Sequence, residues 1–320
     1  MKDKTYRMAL RARKDNYFWK EDNFCFTEVH SGSERYWQAD PFLFDYDGKT
    51  FLFYEQFDRI KRRGMIAYSI VDDEKHISKP RIIIKEKFHL SFPYVFEQDG
   101  QIWIMPETCE DRKIYLYRAV DFPNTWEKQV LVDSFYSCDS IWLFKDHTKF
   151  ALIASELMEP PKPGTLQSCY VRNIRYDLSG AGLDILRERK ELAEGDYGIR
   201  NAGACFYDDN VQIRPGQDCT ENRYGNGIVL FRVDSLDPYS ETSFFAFTKD
   251  DLPGHLNRFG NQPLLGTHTY NISSKYEVID FSFMEELSRW VAIGKQISWF
   301  IGKVKGKLKY LWKKFRHKMQ

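Results

Sequence analysis

"ADPFLFDYDGKTFLFYEQ", residues 39–56, reads as a β-hairpin that carries an acid at each end. The Asp47–Gly48 pair, set between aromatic and aliphatic runs, is a strong hairpin-turn signal. Asp40 stands seven residues before Asp47, and Glu55 stands seven residues after Gly48. Antiparallel pairing therefore returns both carboxylates to the end of the hairpin away from the turn. Flanked by Ala39 and Pro41, Asp40 has no neighbouring side chain to bond with. An isolated hairpin gains nothing from acids placed there, so the pair points beyond the hairpin.

The pattern recurs. Shifted by 52 residues onto "SFPYVFEQDGQIWIMPET" (91–108), the hairpin places Pro41 on Pro93, Gly48 on Gly100 and Glu55 on Glu107. "DSIWLFKDHTKFALIASE" (139–156) runs from Asp139 to Glu156. "AGACFYDDNVQIRPGQD" (202–218) turns at Asp209–Asn210 and ends on Gln217 and Asp218. Further strand-like runs follow each unit, at 64–71, 113–120, 168–177 and 226–234. A fifth unit lies around "GTHTYNISSKYEVIDF" (266–281), and "NFCFTEV" (23–29) is available as the strand that closes it. Self-similarity near 50 residues, with several short strands per unit, predicts an all-β fold, a five-bladed β-propeller over residues 1–282.

Composition agrees. The chain has 320 residues, 42% hydrophobic and 16% aromatic, enough for the core of one large β domain. Its start, "MKDKTYRMALRARKDN", has no apolar run and reads without a signal peptide. No stretch reaches transmembrane length. Cys25, Cys109, Cys138, Cys169, Cys205 and Cys219 are scattered without a CxxC pair. That spacing suits reduced thiols in a cytosol, neither a disulfide framework nor a zinc site. No P-loop, GxGxxG or GxSxG occurs, and no metal or other cofactor is expected.

The net charge of +1 conceals an asymmetry. Residues 281–320 carry ten Lys/Arg and two Glu, a net +8, which leaves −7 on residues 1–280. A mildly acidic main domain argues against nucleic acid as its partner. In the tail, 283–320, Trp290, Ile293, Ile297, Ile301, Val304, Leu308, Leu311 and Phe315 step by three and four along one helix face. Lys303, Lys305, Lys309, Lys313, Lys314 and Arg316 interleave with them. A basic amphipathic helix with Trp on its apolar side suits an anionic membrane interface. Packing on the propeller or on a partner is the alternative.

Equivalent hairpin ends of a propeller converge on one mouth of the central channel. The repeats therefore gather Asp40, Glu55, Ser91, Glu107, Asp139, Glu156, Gln217 and Asp218 on one rim, with His89 and Arg214 close by. Like charges brought together repel unless a ligand or cations use them, although structural ion-pair networks also gather acids. Acids beside aromatics (Tyr54, Trp142, Tyr224) suit a sugar: carboxylates bind hydroxyls and serve as acid and base at an anomeric carbon, and aromatic faces stack on pyranose C–H surfaces. Arg214 fits a phosphate or a sugar carboxylate, or else neutralises Asp218. His268, in "GTHTYN", is a base, a hydroxyl ligand or a structural histidine. The "DYD" of 45–47 has the form of a metal-binding sugar-transferase motif, but it sits on the turn, away from the acid-bearing end, and turn chemistry explains it.

The stretches "ADPFLF…FYEQ", "HLSFPYVFEQDGQIWIMPET", "IYLYRAVDFPNTWEKQVLVD", "IRPGQDC…YGNGIVLFRVDSL…YSET" and "GTHTY…YEVIDF" together resemble the N-terminal domain of glucosamine inositolphosphorylceramide transferases. They are also similar to bacterial single-domain relatives associated with cell-surface polysaccharide synthesis. The resemblance covers roughly residues 35–282. More distantly, the architecture is similar to five-bladed furanosidase-type glycoside hydrolases. That likeness implies a catalytic acid at Asp40 and a second at Asp139. Where those hydrolases carry a general-acid Glu, this chain has Gln217–Asp218, so Glu107 takes that role.

The expectation is a glycosyltransferase of capsule, envelope or glycolipid synthesis, moving a sugar from an activated donor to a lipid-linked or glycan acceptor. Asp40, Glu107 and Asp139 are its catalytic residues. Glu55, His89, Ser91, Trp142, Arg214, Gln217, Asp218, Tyr224 and His268 bind substrate. The tail places the protein in the cytoplasm, peripheral at the inner face of the cell membrane. The rival readings are a glycoside hydrolase using the same acids, and a non-catalytic glycan-binding propeller. A hydrolase working outside the cell calls for an export signal, and a pure binding module has no need of so many converging ionisable groups.

Overall fold

The Asp47–Gly48 turn has both residues at positive φ, 48° and 70°, the geometry that lets a two-residue turn follow the twist of its strands. It joins Tyr36–Tyr46 to Lys49–Asp58, and Arg63–Val71 and Arg81–Ile84 complete a four-stranded antiparallel blade. The computed structural model describes residues 1–13, 16–21, 24–29, 33–133, 136–145, 149–157, 169–179, 184–185, 190–252, 258–259 and 262–318.

Four more blades follow in a ring. Their inner strands are Ser91–Gln98, Ser137–Lys145, Tyr197–Asn201 and Tyr270–Ile272. The fold is thus a five-bladed propeller, mostly β, with one C-terminal helix. Aromatic side chains fill the space between blades. Phe42 meets Phe92 edge-on across the first interface, and Phe96 meets Trp142 across the second. Between the fourth and fifth blades Phe18 is fully buried, with Phe247 and Tyr270 edge-on against it.

The ring is closed by the first strand of the chain rather than by 23–29. Lys2–Ala12 pairs antiparallel with Tyr276–Glu286 along eleven residues, from Lys2 opposite Glu286 to Ala12 opposite Tyr276. Thr27–Val29 is a short edge strand one place further out. The longer partner wins because it satisfies more backbone groups and carries the alternating apolar face Met8 and Leu10 into the core. Strand Tyr276–Glu286 also runs past residue 282, and the helix begins only at Arg289.

Each of the first three inner strands bulges near the channel mouth. Asp40–Pro41 oppose Tyr54 alone, Phe92–Pro93 oppose Pro106, and Cys138–Asp139 oppose Ser155. Asp139 therefore corresponds to Pro41, not to Asp40, one place off the alignment read from the repeat. Asp40 and Phe92 occupy the left-handed region, at φ 51° and 46°. For a residue as bulky as Phe that is strain of about 1–3 kcal/mol. It turns the Phe92 N–H toward the Asp40 carboxylate, 3.1 Å away.

Ring closure depends on a buried ion pair. Arg11 on the first strand bonds Glu277 on the last, and Glu277 also accepts from the Phe18 N–H and the Tyr270 hydroxyl. Arg11→Met leaves that carboxylate buried without its cation, and urea unfolding should show a loss of about 3–5 kcal/mol. The double variant Arg11→Met/Glu277→Leu should recover most of it, because no lone charge remains.

Candidate active site

The loops and bulges at the end of the channel opposite the Asp47–Gly48 turn enclose a cavity of about 240 Å³. Asp40, Glu55, His89, Ser91, Tyr224 and His268, all singled out from sequence, line it. Lys4, Tyr6, Trp37 and Phe57 complete the wall. Trp37 stacks on Phe57 with ring centroids 4.3 Å apart, and Tyr6 lies against Trp37 at 5.2 Å.

Asp40 is tied across blades. Its Oδ2 accepts from the Phe92 N–H, and its Oδ1 accepts from the Thr269 hydroxyl at 3.0 Å and faces His268 Nε2 at 3.2 Å. The partners absent from its own neighbourhood in sequence thus come from the second and fifth blades. His268 sits between two carboxylates, with Nδ1 2.7 Å from Asp280. Asp280 also receives the backbone N–H groups of Asp40, His268 and Thr269. Burial alone would push the imidazole down, but Asp280 and Asp40 outweigh it and hold its pKa above the ordinary value. Burial likewise opposes the charge on Asp280, yet His268 and the N–H donors hold that carboxyl below the usual range. Burial raises Asp40, with His268 pulling it part of the way back.

A second cluster lies behind Ser91. The Ser91 hydroxyl donates to Glu107 at 3.0 Å. Arg200 bonds both Asp139 and Glu107, and Gln217 donates to Asp139 at 3.4 Å. Tyr224 covers the guanidinium, 4.7 Å from its ring centroid. Burial pushes Glu107 up to about 8, with Asp139 adding to the effect, and pushes Asp139 up to about 6 against the pull of Arg200. Glu55 is raised well above the usual carboxylate range, by burial first and by Asp40 and Glu107 after it. Its Oε1 is buried without a hydrogen bond, 3.5 Å from His89 Nε2. His89 takes the Gly64 N–H on Nδ1, and burial lowers its pKa to about 4. Gly64 is required here, because a Cβ would stand 2.4 Å from Glu55 Oε1 and 2.2 Å from the Leu90 carbonyl oxygen. Burial thus pushes Glu55 and Glu107 toward their protonated forms, while His268 and the backbone donors favour Asp280 as an anion, a split that separates proton donors from acceptors.

Several expected residues fall elsewhere. Trp142 is packed in the interface core against Phe96 and does not line the cavity. Arg214 is fully buried, bidentate to Glu241, bonded to the Gly198 carbonyl and Asn201, and stacked on Phe231. It has no face left for a phosphate. Asp218 accepts from Thr220 and Asn226 and caps its own loop. Tyr54 bonds Ser69 inside a blade. Glu156, the end of the third hairpin, is half-buried and does not line the cavity.

Sequence reasoning missed Lys4, Tyr6, Trp37, Phe57, Arg200 and Asp280. Trp37 and Phe57 were accessible to the same count that found Asp40 and Glu55, since they pair directly across the hairpin. Arg200 follows no turn signal, and Lys4 and Tyr6 act only once the first strand is placed. For metal, Asp40, His268 and Asp280 bring ligand atoms within 4.8 Å of one another. Both imidazole nitrogens already face carboxylates, so a cation would have to displace one of those contacts.

The fold is that of the five-bladed glycoside-hydrolase propellers. An α-L-arabinofuranosidase from Podospora anserina, solved with cellotriose, superposes with a TM-score of 0.54 at 9% identity, over 78% of this chain and 91% of that one. The catalytic domain of a Coprinopsis cinerea α-L-arabinofuranosidase gives 0.55 at 12%, over 79% and 93%. By sequence, residues 22–250 match the family described as glucosamine inositolphosphorylceramide transferase 1, N-terminal, and the chain belongs to that family. It is 34% identical to glucosamine inositolphosphorylceramide transferase 1 of Arabidopsis thaliana over 224 residues, 66% of this chain and 27% of that protein. The corresponding protein of Oryza sativa subsp. indica is 30% identical, over 66% and 28%. The chain thus spans little more than a quarter of those relatives' length. Lys4, Tyr6, His268 and Asp280 lie outside the matched residues.

The Glu107 shift has a measurable consequence. Folded Glu107 keeps its proton to about pH 8, whereas the unfolded side chain releases it near 4.5. Its contribution to stability is full below pH 4.5 and is lost as pH rises through about 8, because the folded state binds the extra proton. Glu107→Gln should flatten that part of the stability–pH curve in urea titrations. An unchanged slope would place the proton elsewhere.

Proposed function

We propose that this protein is a glycosyltransferase of cell-surface polysaccharide or glycolipid synthesis, with the cavity at the channel mouth as its active site. The observation that carries the reading is the convergence of Asp40 and Glu55 with His268 in one aromatic-lined cavity, backed by Glu107 and Asp139 behind Ser91, in a chain whose named relatives are transferases. Trp37, Phe57 and Tyr224 offer faces for a sugar ring. Asp40 takes the proton of the acceptor hydroxyl. As the acceptor oxygen bonds the anomeric carbon, the bond from that carbon to the donor's leaving oxygen breaks. Asp139, whose carboxylate lies behind Ser91, offsets the positive charge that develops on the sugar, and Glu107 holds the Ser91 hydroxyl. Glu55, in the wall and pushed by burial toward its neutral form, serves as hydrogen-bond or proton donor. The hydrolase reading draws on the arabinofuranosidase-like fold, with water as acceptor.

The acceptor is lipid-linked, and the protein works at the cytoplasmic face of the cell membrane. The C-terminal helix, α1 (Arg289–Lys318), supports this. It docks by Val291, by Gly294 against Ile60, and by Lys295 on Asp3. Ile60 lies in the loop that follows Glu55, so the helix leaves from the mouth end of the propeller. Trp290, Ile293, Ile297, Ile301 and Val304, the apolar stripe read from sequence, are exposed, as are Trp299 and Phe300. The side chains of Lys305, Leu308, Lys309, Leu311, Lys313, Lys314, Phe315 and Arg316 lie outside the described ones. Among the described residues, no helix is long and apolar enough to cross a membrane.

Asp40→Asn should cut sugar transfer by about two to four orders of magnitude. The assay pairs a panel of nucleotide-activated and phospholipid-activated donors with a lipid-linked acceptor. Asp45→Asn should leave the rate unchanged, since Asp45 bonds Thr50 and Ser274 at the opposite end of the channel. The reverse result would move the active site to the turn. Truncation after Leu287 should leave a folded propeller that no longer sediments with anionic liposomes, and high salt should weaken binding of the full chain. Equal sedimentation by the truncated protein would make the helix a packing element.

A further inference from the structure

Most cations near the channel are already spoken for. Arg200 bonds Asp139 and Glu107, His268 lies between Asp40 and Asp280, and Arg214 is locked to Glu241. Lys4 differs. Its side chain lines the cavity, yet among the described residues its ammonium makes no hydrogen bond and no ion pair. The nitrogen lies 4.9 Å from the centroid of the Tyr6 ring and 5.7 Å from that of Tyr224. Burial draws its pKa below the ordinary lysine value, and Asp280 offsets only part of that. The faces of those two rings return only part of the hydration that burial takes from the ammonium, and an anion in the cavity would complete its surroundings.

We propose that Lys4 is the anion subsite of this cavity and holds the phosphate group through which the sugar donor is activated. The inference rests on the transferase reading and deepens it. When the anomeric carbon–oxygen bond of a glycosyl phosphate breaks, the electron pair stays on the phosphate oxygen and negative charge grows there. A cation fixed beside that oxygen lowers the barrier. A simple glycoside leaves as a neutral alcohol after protonation and has no such need. The closing strand thereby brings to the site the one function that Arg214 was expected to supply. Tyr6, two residues on, continues the same strand face toward Trp37 and the sugar platform.

Isothermal titration of the full-length protein tests this with inorganic pyrophosphate as the probe. Uridine diphosphate and farnesyl phosphate serve as separate arms for a nucleotide and a lipid source. Pyrophosphate should bind the native protein in a salt-sensitive manner. Lys4→Gln should weaken it at least ten-fold, and Lys4→Arg, which keeps the charge, should stay within about three-fold. Tighter binding in one of the two further arms names the source of the phosphate. Binding of a panel of neutral monosaccharides should be equal in the native protein and Lys4→Gln, which also shows that the variant is folded. Absence of pyrophosphate binding to the native protein, or equal binding by Lys4→Gln, overturns the subsite even where neutral sugars bind. Lys4-dependent pyrophosphate binding without any sugar binding keeps the subsite and sinks the transferase reading.

Discussion

Everything at the channel mouth depends on the ladder between the first and last strands. A propeller has no hydrophobic centre to hold its blades together, because its axis is a channel. The ring must be locked along its circumference, and here the lock is eleven paired residues from opposite ends of the chain. The same two strands carry Arg11 and Glu277 at one end of the ladder, and Lys4 and Asp280 toward the mouth. Closure and site construction are therefore one event. The strand Tyr276–Glu286 delivers Asp280 beneath His268, and His268 fixes Asp40 on the neighbouring blade.

Burying five carboxylates around one channel is tolerable because their surroundings push them in different directions. Asp280 is stabilised as an anion by His268 and three backbone N–H groups. Asp139 is matched by Arg200, while Glu107 and Glu55 are pushed toward their neutral forms by burial. The repulsion expected from counting acids on a rim is thus removed in two ways, by pairing some and protonating others. This differentiation arises from the blades' departures from symmetry. Equivalent positions hold Ala39, Ser91 and Ser137 before the bulge, and only Ser91 is placed to bond Glu107.

The repeat made the architecture legible. The Asp47–Gly48 and Asp99–Gly100 turns fix the register of their hairpins, and counting outward from them located Glu55 and Glu107. The count failed where one strand gains a residue. The extra residue of the third inner strand, Leu143 between the Trp142–Leu152 and Phe144–Ala151 pairs, is invisible to periodicity, so Asp139 reached the right mouth by the wrong equivalence. Arg214 and Trp142 misled for another reason. Strand alternation tells two faces apart, but it does not say which face meets the channel and which meets the next blade. The closing strand was missed because its partner lies more than 260 residues away, and no local signal chooses Lys2–Ala12 over Thr27–Val29.

The order in which the parts of the site leave the ribosome matters as well. Lys4 and Tyr6 precede His268 and Asp280 by more than 260 residues, so a nascent chain carries half a cavity until the fifth blade has been made. Until then the first strand has no ladder to join, and its alternating apolar residues are left for chaperones or for the wrong neighbour. No product that stops before Asp280, and no fragment that lacks Lys4, contains a whole site. A complete cavity in this molecule thereby reports that the circle has shut.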